Sequence, residues 1–242
     1  MKKKIIAVCS AKGGVGKSVL ASNLAVSLSK KKFKTTAVDA SFQFGNLHLI
    51  MDLNPMFTIH DAVEQINELD ENLIFSYLCH HDSGVYVLPA PTKPEYADLI
   101  SFDSLDKISN LLLSSSDYLV VDTPPGLTEH NLQFIEKADH ILIVTDLEMT
   151  SLKNTKSMIS VFNALGLREK IKIIVNRSTM KSLIRAKNVP KILGEESLLY
   201  IPNDFNLVSK SINIGIPFVI HYRRSDISKS IFNIADLISK EL

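Results

Sequence analysis

The chain has 242 residues, 45% of them hydrophobic and 22% charged, the composition of a soluble globular protein able to bury a core. Its formal net charge of +1 excludes a global pull toward nucleic acid or anionic membrane, so any such attraction must come from a local patch. Two cysteines, Cys9 and Cys79, with no Cys-x-x-Cys pair, exclude a disulfide framework, argue against an iron–sulfur or zinc cluster, and suit a reducing cytosol.

The first segment, MKKKIIAVCSA, imitates a secretory leader, but Lys12 ends its apolar run and no cleavage context follows, so a secretory reading is rejected. No run approaches the roughly 18 apolar residues of a membrane helix. Short runs rich in Val and Ile then recur at 5–10, 35–40, 85–90, 118–123, 140–145, 171–176 and 197–202. They do not strictly alternate, the mark of strands buried on both faces. Stretches with apolar spacing of three and four lie between them: Leu20, Leu24, Leu28; Leu105, Ile108, Leu111, Leu112; Met158, Ile159, Phe162, Leu165. This alternation predicts an α/β fold, a mostly parallel twisted sheet with helices on both faces and right-handed crossovers, as one domain over 1–242. Asp226–Leu242 carries Ile227, Ile231, Ile234, Leu237 and Ile238 on one face and is expected to close the sheet as a packed helix.

The decisive segment joins the first strand to the first helix: Ser10-Ala11-Lys12-Gly13-Gly14-Val15-Gly16-Lys17-Ser18. Glycines let the backbone curl with N–H groups inward, and the following helix offers its positive end, so the segment suits a phosphate. Lys17 would reach the β- and γ-phosphates, and the Ser18 hydroxyl would bind Mg²⁺.

The loop Lys-Gly-Gly-x-Gly-Lys-Ser resembles the deviant Walker A loop of the MinD/ParA/NifH family of P-loop ATPases. In that family the early lysine, here Lys12, reaches the nucleotide of a neighbouring subunit, which couples ATP to homodimer formation. The resemblance implies ATP/ADP and Mg²⁺ as ligands, held by residues 11–19 from Ala11 through Val15 to Val19. It places Asp122 as the Walker B aspartate and Asp39 as the first switch I aspartate, both toward Mg²⁺. With Lys12 and Lys17 they form the expected catalytic set. Thr123–Gly126 resembles switch II, Asn176 the adenine-reading asparagine, and Ile201, Pro202, Asn203 and Asp204 the loop flanking the base. Two positions depart from the family. Ser41 stands where a second switch I aspartate is usual, which implies slow hydrolysis, and Val19 stands where a second hydroxyl is common.

The stretches SFQFGNLHLIMDL, LPAPTKPEYADLI and DLEMTSLKNTKSMISVFNALG resemble the CpaE/TadZ pilus-assembly branch. That implies a cytoplasmic positioning ATPase, peripheral at membrane or pole through a protein partner at a pilus, flagellar or secretion apparatus. The alternative is a ParA/Soj-like ATPase holding DNA non-specifically. Residues 177–194 carry Arg177, Lys181, Arg185, Lys187 and Lys191 without an acidic residue, a candidate docking surface with Lys181 and Arg185 one helical turn apart. A reductase role is disfavoured by the missing paired cysteines. His80 and His81 are expected in a surface loop, and Asp61, Glu64, Glu68, Asp70 and Glu71 on a solvated helix face.

Overall fold

The computed structural model describes residues 3–240. In chain order it runs β1 (Lys4–Cys9), α1 (Lys17–Lys30), β2 (Thr35–Asp39), α2 (Leu47–Ile50), α3 (Ile59–Glu64), β3 (Cys79–His80), β4 (Tyr86–Leu88), α4 (Phe102–Ser115) and β5 (Tyr118–Asp122). It continues through α5 (Glu129–Lys137), β6 (His140–Thr145), α6 (Met149–Ala164), β7 (Ile171–Val175), α7 (Val189–Leu193) and β8 (Leu198–Tyr200). Three helices finish it: α8 (Phe205–Asn213), α9 (Phe218–His221) and α10 (Asp226–Lys240).

The strands form one sheet in the order β3-β4-β2-β5-β1-β6-β7-β8, parallel except for the antiparallel β3 edge. Strands β1, β2, β5 and β6 are buried at every residue, because helices cover both faces. Alternate side chains feed two cores. Ile5, Ala7, Val121 and Ile143 pack with Leu105 and Leu112 of α4 and Phe162 of α6. Ile6, Val8, Val120 and Val144 pack on the other face with Leu24 and Leu28 of α1 and the isoleucines of α10. Ile227, Ile231, Ile234 and Ile238 are all buried there, so α10 is the closing helix. Each isoleucine contributes roughly 1.5–3 kcal/mol by burial. Leu237, expected on the same face, is 37% exposed. No helix among the described residues is long and apolar enough to cross a membrane.

The chain leaves β1 for β2 on one side and crosses back from β5 to β6 on the other, so β1 ends at a topological switch point. Ligands of open α/β sheets bind there, outside the carboxyl ends of the strands.

Several expectations are corrected. Residues 177–185 form turns and bends, not a helix, so Lys181 and Arg185 are not one helical turn apart; α7 begins only where Pro190 takes its first turn. His80 lies in the edge strand β3, and His81 is buried, its ring bonded to Ser83. Of the five acidic residues only Asp61 and Glu64 stand on a helix, and Asp61 caps α3 with Thr58. Asp70 instead caps a turn through Asn72 and Leu73 backbone N–H groups.

Candidate functional site

The glycine loop sits at the carboxyl end of β1 and opens α1. Gly14 and Gly16 both hold left-handed backbone, at φ 78° and 97°, which curls the loop. Gly16 is the N-cap of α1 and brings no side chain to cap it, so the first N–H groups of that helix stay available to an anion. A β-carbon at Gly16 would lie 2.5 Å from Asn176 Nδ2, so the loop is docked against the end of β7. Asn176 Nδ2 donates to Val15 O at 2.8 Å. The Ser10 hydroxyl donates to Lys12 O at 2.7 Å, and Gly126 N donates to Ser10 O at 2.8 Å, tying the segment after β5 to the loop. Val15 itself is buried in the core, so only its backbone faces the loop interior.

Asp39 and Asp122 end adjacent strands as register partners. Both are buried. Neither Asp122 oxygen has a hydrogen-bond partner of normal geometry, although the Ser18 hydroxyl and the buried Lys17 ammonium lie close enough to favour its charge. Burial outweighs them and pushes the Asp122 carboxyl up to about 6. Asp39 accepts from Ser41 N at 3.1 Å and Leu47 N at 2.9 Å. Burial first, then the charge of Asp122, pushes it up to about 7. Gly45 has to be glycine here, since a β-carbon would meet Ala90 at 2.3 Å and the Asp39 carboxylate at 2.6 Å. A buried, unpaired carboxylate with a second carboxylate and a hydroxyl beside it is a hard-oxygen donor set that fits Mg²⁺.

Lys12 lies at the outer lip and forms an ion pair with Glu148, the N-cap residue of α6. Glu148 raises the Lys12 pKa, first through that hydrogen bond. Lys17 is buried inside the loop. The two lysines of the motif therefore occupy different environments: one internal, one at the surface.

The loop opens into a cavity of about 680 Å³. Lys17, Ser18, Val19, Ser41, Asn176, Pro202 and Asp204 line it, whereas Lys12, Val15, Asp39 and Asp122 lie outside its lining. Asp204 also caps α8, its Oδ1 accepting from Leu207 N at 3.1 Å. Ala11 packs on the neighbouring core instead of lining the cavity.

Two features were not anticipated. Arg177 belongs to the site and not to an open basic surface. It holds φ 54°, and its guanidinium donates to Gly14 O at 3.2 Å. The second is the apolar wall that α8, α2 and the loop before α2 bring to the cavity, including Phe44, Leu49, Phe205, Val208 and Ile212. No local pattern announces this wall, because it forms only when segments 160 residues apart meet.

A family model described as an AAA domain matches residues 3–175. The septum site-determining protein MinD of Thermotoga maritima is 27% identical over 245 residues, covering 98% of this chain and 88% of that protein. The crystal structure of a ParA family ATPase from Chlorobium tepidum TLS superposes with a TM-score of 0.89 at 25% identity, over 97% of this chain and 98% of that one. The cell division ATPase MinD of Pyrococcus furiosus superposes at 0.85 with 26% identity over all of both chains.

Proposed function

We propose that this chain, which belongs to the MinD/ParA-type P-loop ATPases, is an ATP-dependent homodimerising switch that positions or regulates a cellular apparatus through protein partners. The observation that carries the reading is the split placement of the two lysines. Lys17 is buried within the loop, while Lys12 is held at the lip by an exposed ion pair with Glu148, with Asp146 adding to the attraction. Such a pair at the surface is screened by solvent and weak, so Lys12 is readily transferred to the phosphates of a facing subunit. A cation that completes the site only in the dimer makes nucleotide state and assembly one equilibrium.

ATP would lie with its phosphates on the backbone of residues 13–18 and on Lys17, and its base toward Asn176, Pro202 and Asp204. Mg²⁺ would take Ser18, with Asp122 and Asp39 behind it. When bound, the ion supplies charge neutralisation for in-line transfer of the γ-phosphoryl to water. Ser41 lines the cavity with no carboxylate to orient that water, which supports slow turnover. The whole of 1–242 is read as one ATPase domain acting in the cytoplasm, peripheral to membrane or pole through its partner, in the manner of the CpaE/TadZ branch.

One observation favours a second reading. Lys181, Arg185, Lys187 and Lys191 are exposed together with no acidic residue between 177 and 194, a surface that suits a ParA/Soj-like hold on DNA. The two readings separate in a salt titration of duplex binding with and without ATP. The partner reading expects no ATP-dependent DNA affinity. The DNA reading expects ATP-dependent affinity that falls steeply with salt.

A further inference from the structure

Helix α8 turns a single stripe toward the nucleotide cavity. Phe205, Val208, Ser209, Ile212 and Asn213 all line it, at the i, i+3, i+4, i+7, i+8 spacing of one helical face. Three of these five residues are apolar, yet Phe205 is 68% exposed and Ile212 39%. A large aromatic ring left uncovered on the wall of a deep cavity marks a surface completed by something that enters the cavity.

The ring hangs on a fixed support. Asp204 caps the first turn of α8, and Asn203 N donates to Thr179 Oγ1 at 2.9 Å. Asn176 anchors the wall to the glycine loop, and Pro202 stands three residues before Phe205 in the same lining. The wall therefore runs from the phosphate loop through Asn176 and Pro202 to Phe205. Phe44, the other exposed aromatic of the lining, lies instead on the loop that the Asp39 carboxylate organises, at the metal end.

We propose that Phe205 is the stacking platform for the nucleotide's purine ring, a positioning role that rests on the nucleotide-binding reading above. Asn176 offers an amide to the edge of the base, whereas Phe205 offers a π-face to its plane, and the two contacts are independent in geometry and in chemistry. Base–aromatic stacking is strong enough for its loss to weaken binding about fivefold or more.

The test uses the full chain with Mg²⁺ and compares ATP with inorganic tripolyphosphate, which has the anionic tail and no base. Calorimetric titration of Phe205→Ala is expected to show ATP affinity down about fivefold or more, with tripolyphosphate affinity unchanged. Phe205→Trp is expected to keep ATP affinity. Because the chain has no tryptophan, the introduced indole is the only one, and its fluorescence should respond to ATP and not to tripolyphosphate. A smaller loss in Phe205→Ala, an equal loss for both ligands, or an indole silent to ATP overturns the platform. If the unmodified chain binds neither ligand, the nucleotide reading itself falls, an outcome distinct from all three.

Discussion

Replacing Asp122 by Asn should stabilise the ligand-free fold near neutral pH while removing its response to Mg²⁺. Asp122 and Asp39 are buried side by side and pushed up to about 6 and about 7, in each case first by burial. The sign follows from proton counting. Below about pH 4 both states hold the protons; between there and the folded pKa only the folded state does; above it neither does. Stability therefore falls as pH rises through that window and is flat above it, at about 1.4 kcal/mol per proton per unit. From pH 5 to 7.5 the pair together loses stability on the order of a few kcal/mol. Asn at 122 removes one group and the repulsion on the other, so the variant's loss should be smaller. Urea titrations at the two pH values, without metal or nucleotide, measure this. Adding Mg²⁺ to the ATP-saturated protein should raise the stability of the unmodified chain at pH 7.5 and not that of the variant. Equal pH slopes in the two proteins, or a variant less stable at pH 7.5, would refute the reasoning.

Gly16→Ala places a β-carbon in left-handed backbone and 2.5 Å from Asn176 Nδ2. The conformation alone costs roughly 1–2 kcal/mol, and calorimetry should show ATP affinity reduced at least tenfold. Ile231→Ala, deep between α10 and α1, should lower unfolding free energy by about 2–5 kcal/mol in urea while ATP affinity stays within twofold. Ser41→Asp should speed single-turnover hydrolysis of ATP. Turnover already fast in the unmodified chain and unchanged in the variant would remove the account of slow hydrolysis.

The residues that carry fold and phosphate chemistry were legible because their signals are local. Ser10–Ser18 announces a turn, a helix start and an anion site within nine positions, and β1, β2, β5 and β6 are continuous apolar runs because both of their faces are covered. The pairing of Asp39 with Asp122 follows from two strands each ending in Asp, though their side-by-side register required the sheet. What stayed hidden depends on distance in sequence. Arg177 reads as one more cation in a basic run, and only the turn after β7 sends its guanidinium back to Gly14, 163 residues earlier. The basic run has helical spacing, but its first half, 177–185, forms turns and bends, since Arg177 takes left-handed backbone and α7 begins only at Val189. Strand β3 has two residues and makes its pairing only against β4, too short for any periodicity to register.

The reading as a whole depends on Lys12 leaving Glu148 for a second subunit when ATP is present. Sedimentation of the unmodified chain and of Lys12→Ala, each with Mg²⁺ and either ADP or a non-hydrolysable ATP analogue, tests that directly. The account predicts that only the unmodified chain with the ATP analogue sediments as a dimer, while the variant still binds the analogue as a monomer. A variant that dimerises as readily as the unmodified chain, or an unmodified chain that stays monomeric when saturated with the analogue, would contradict it.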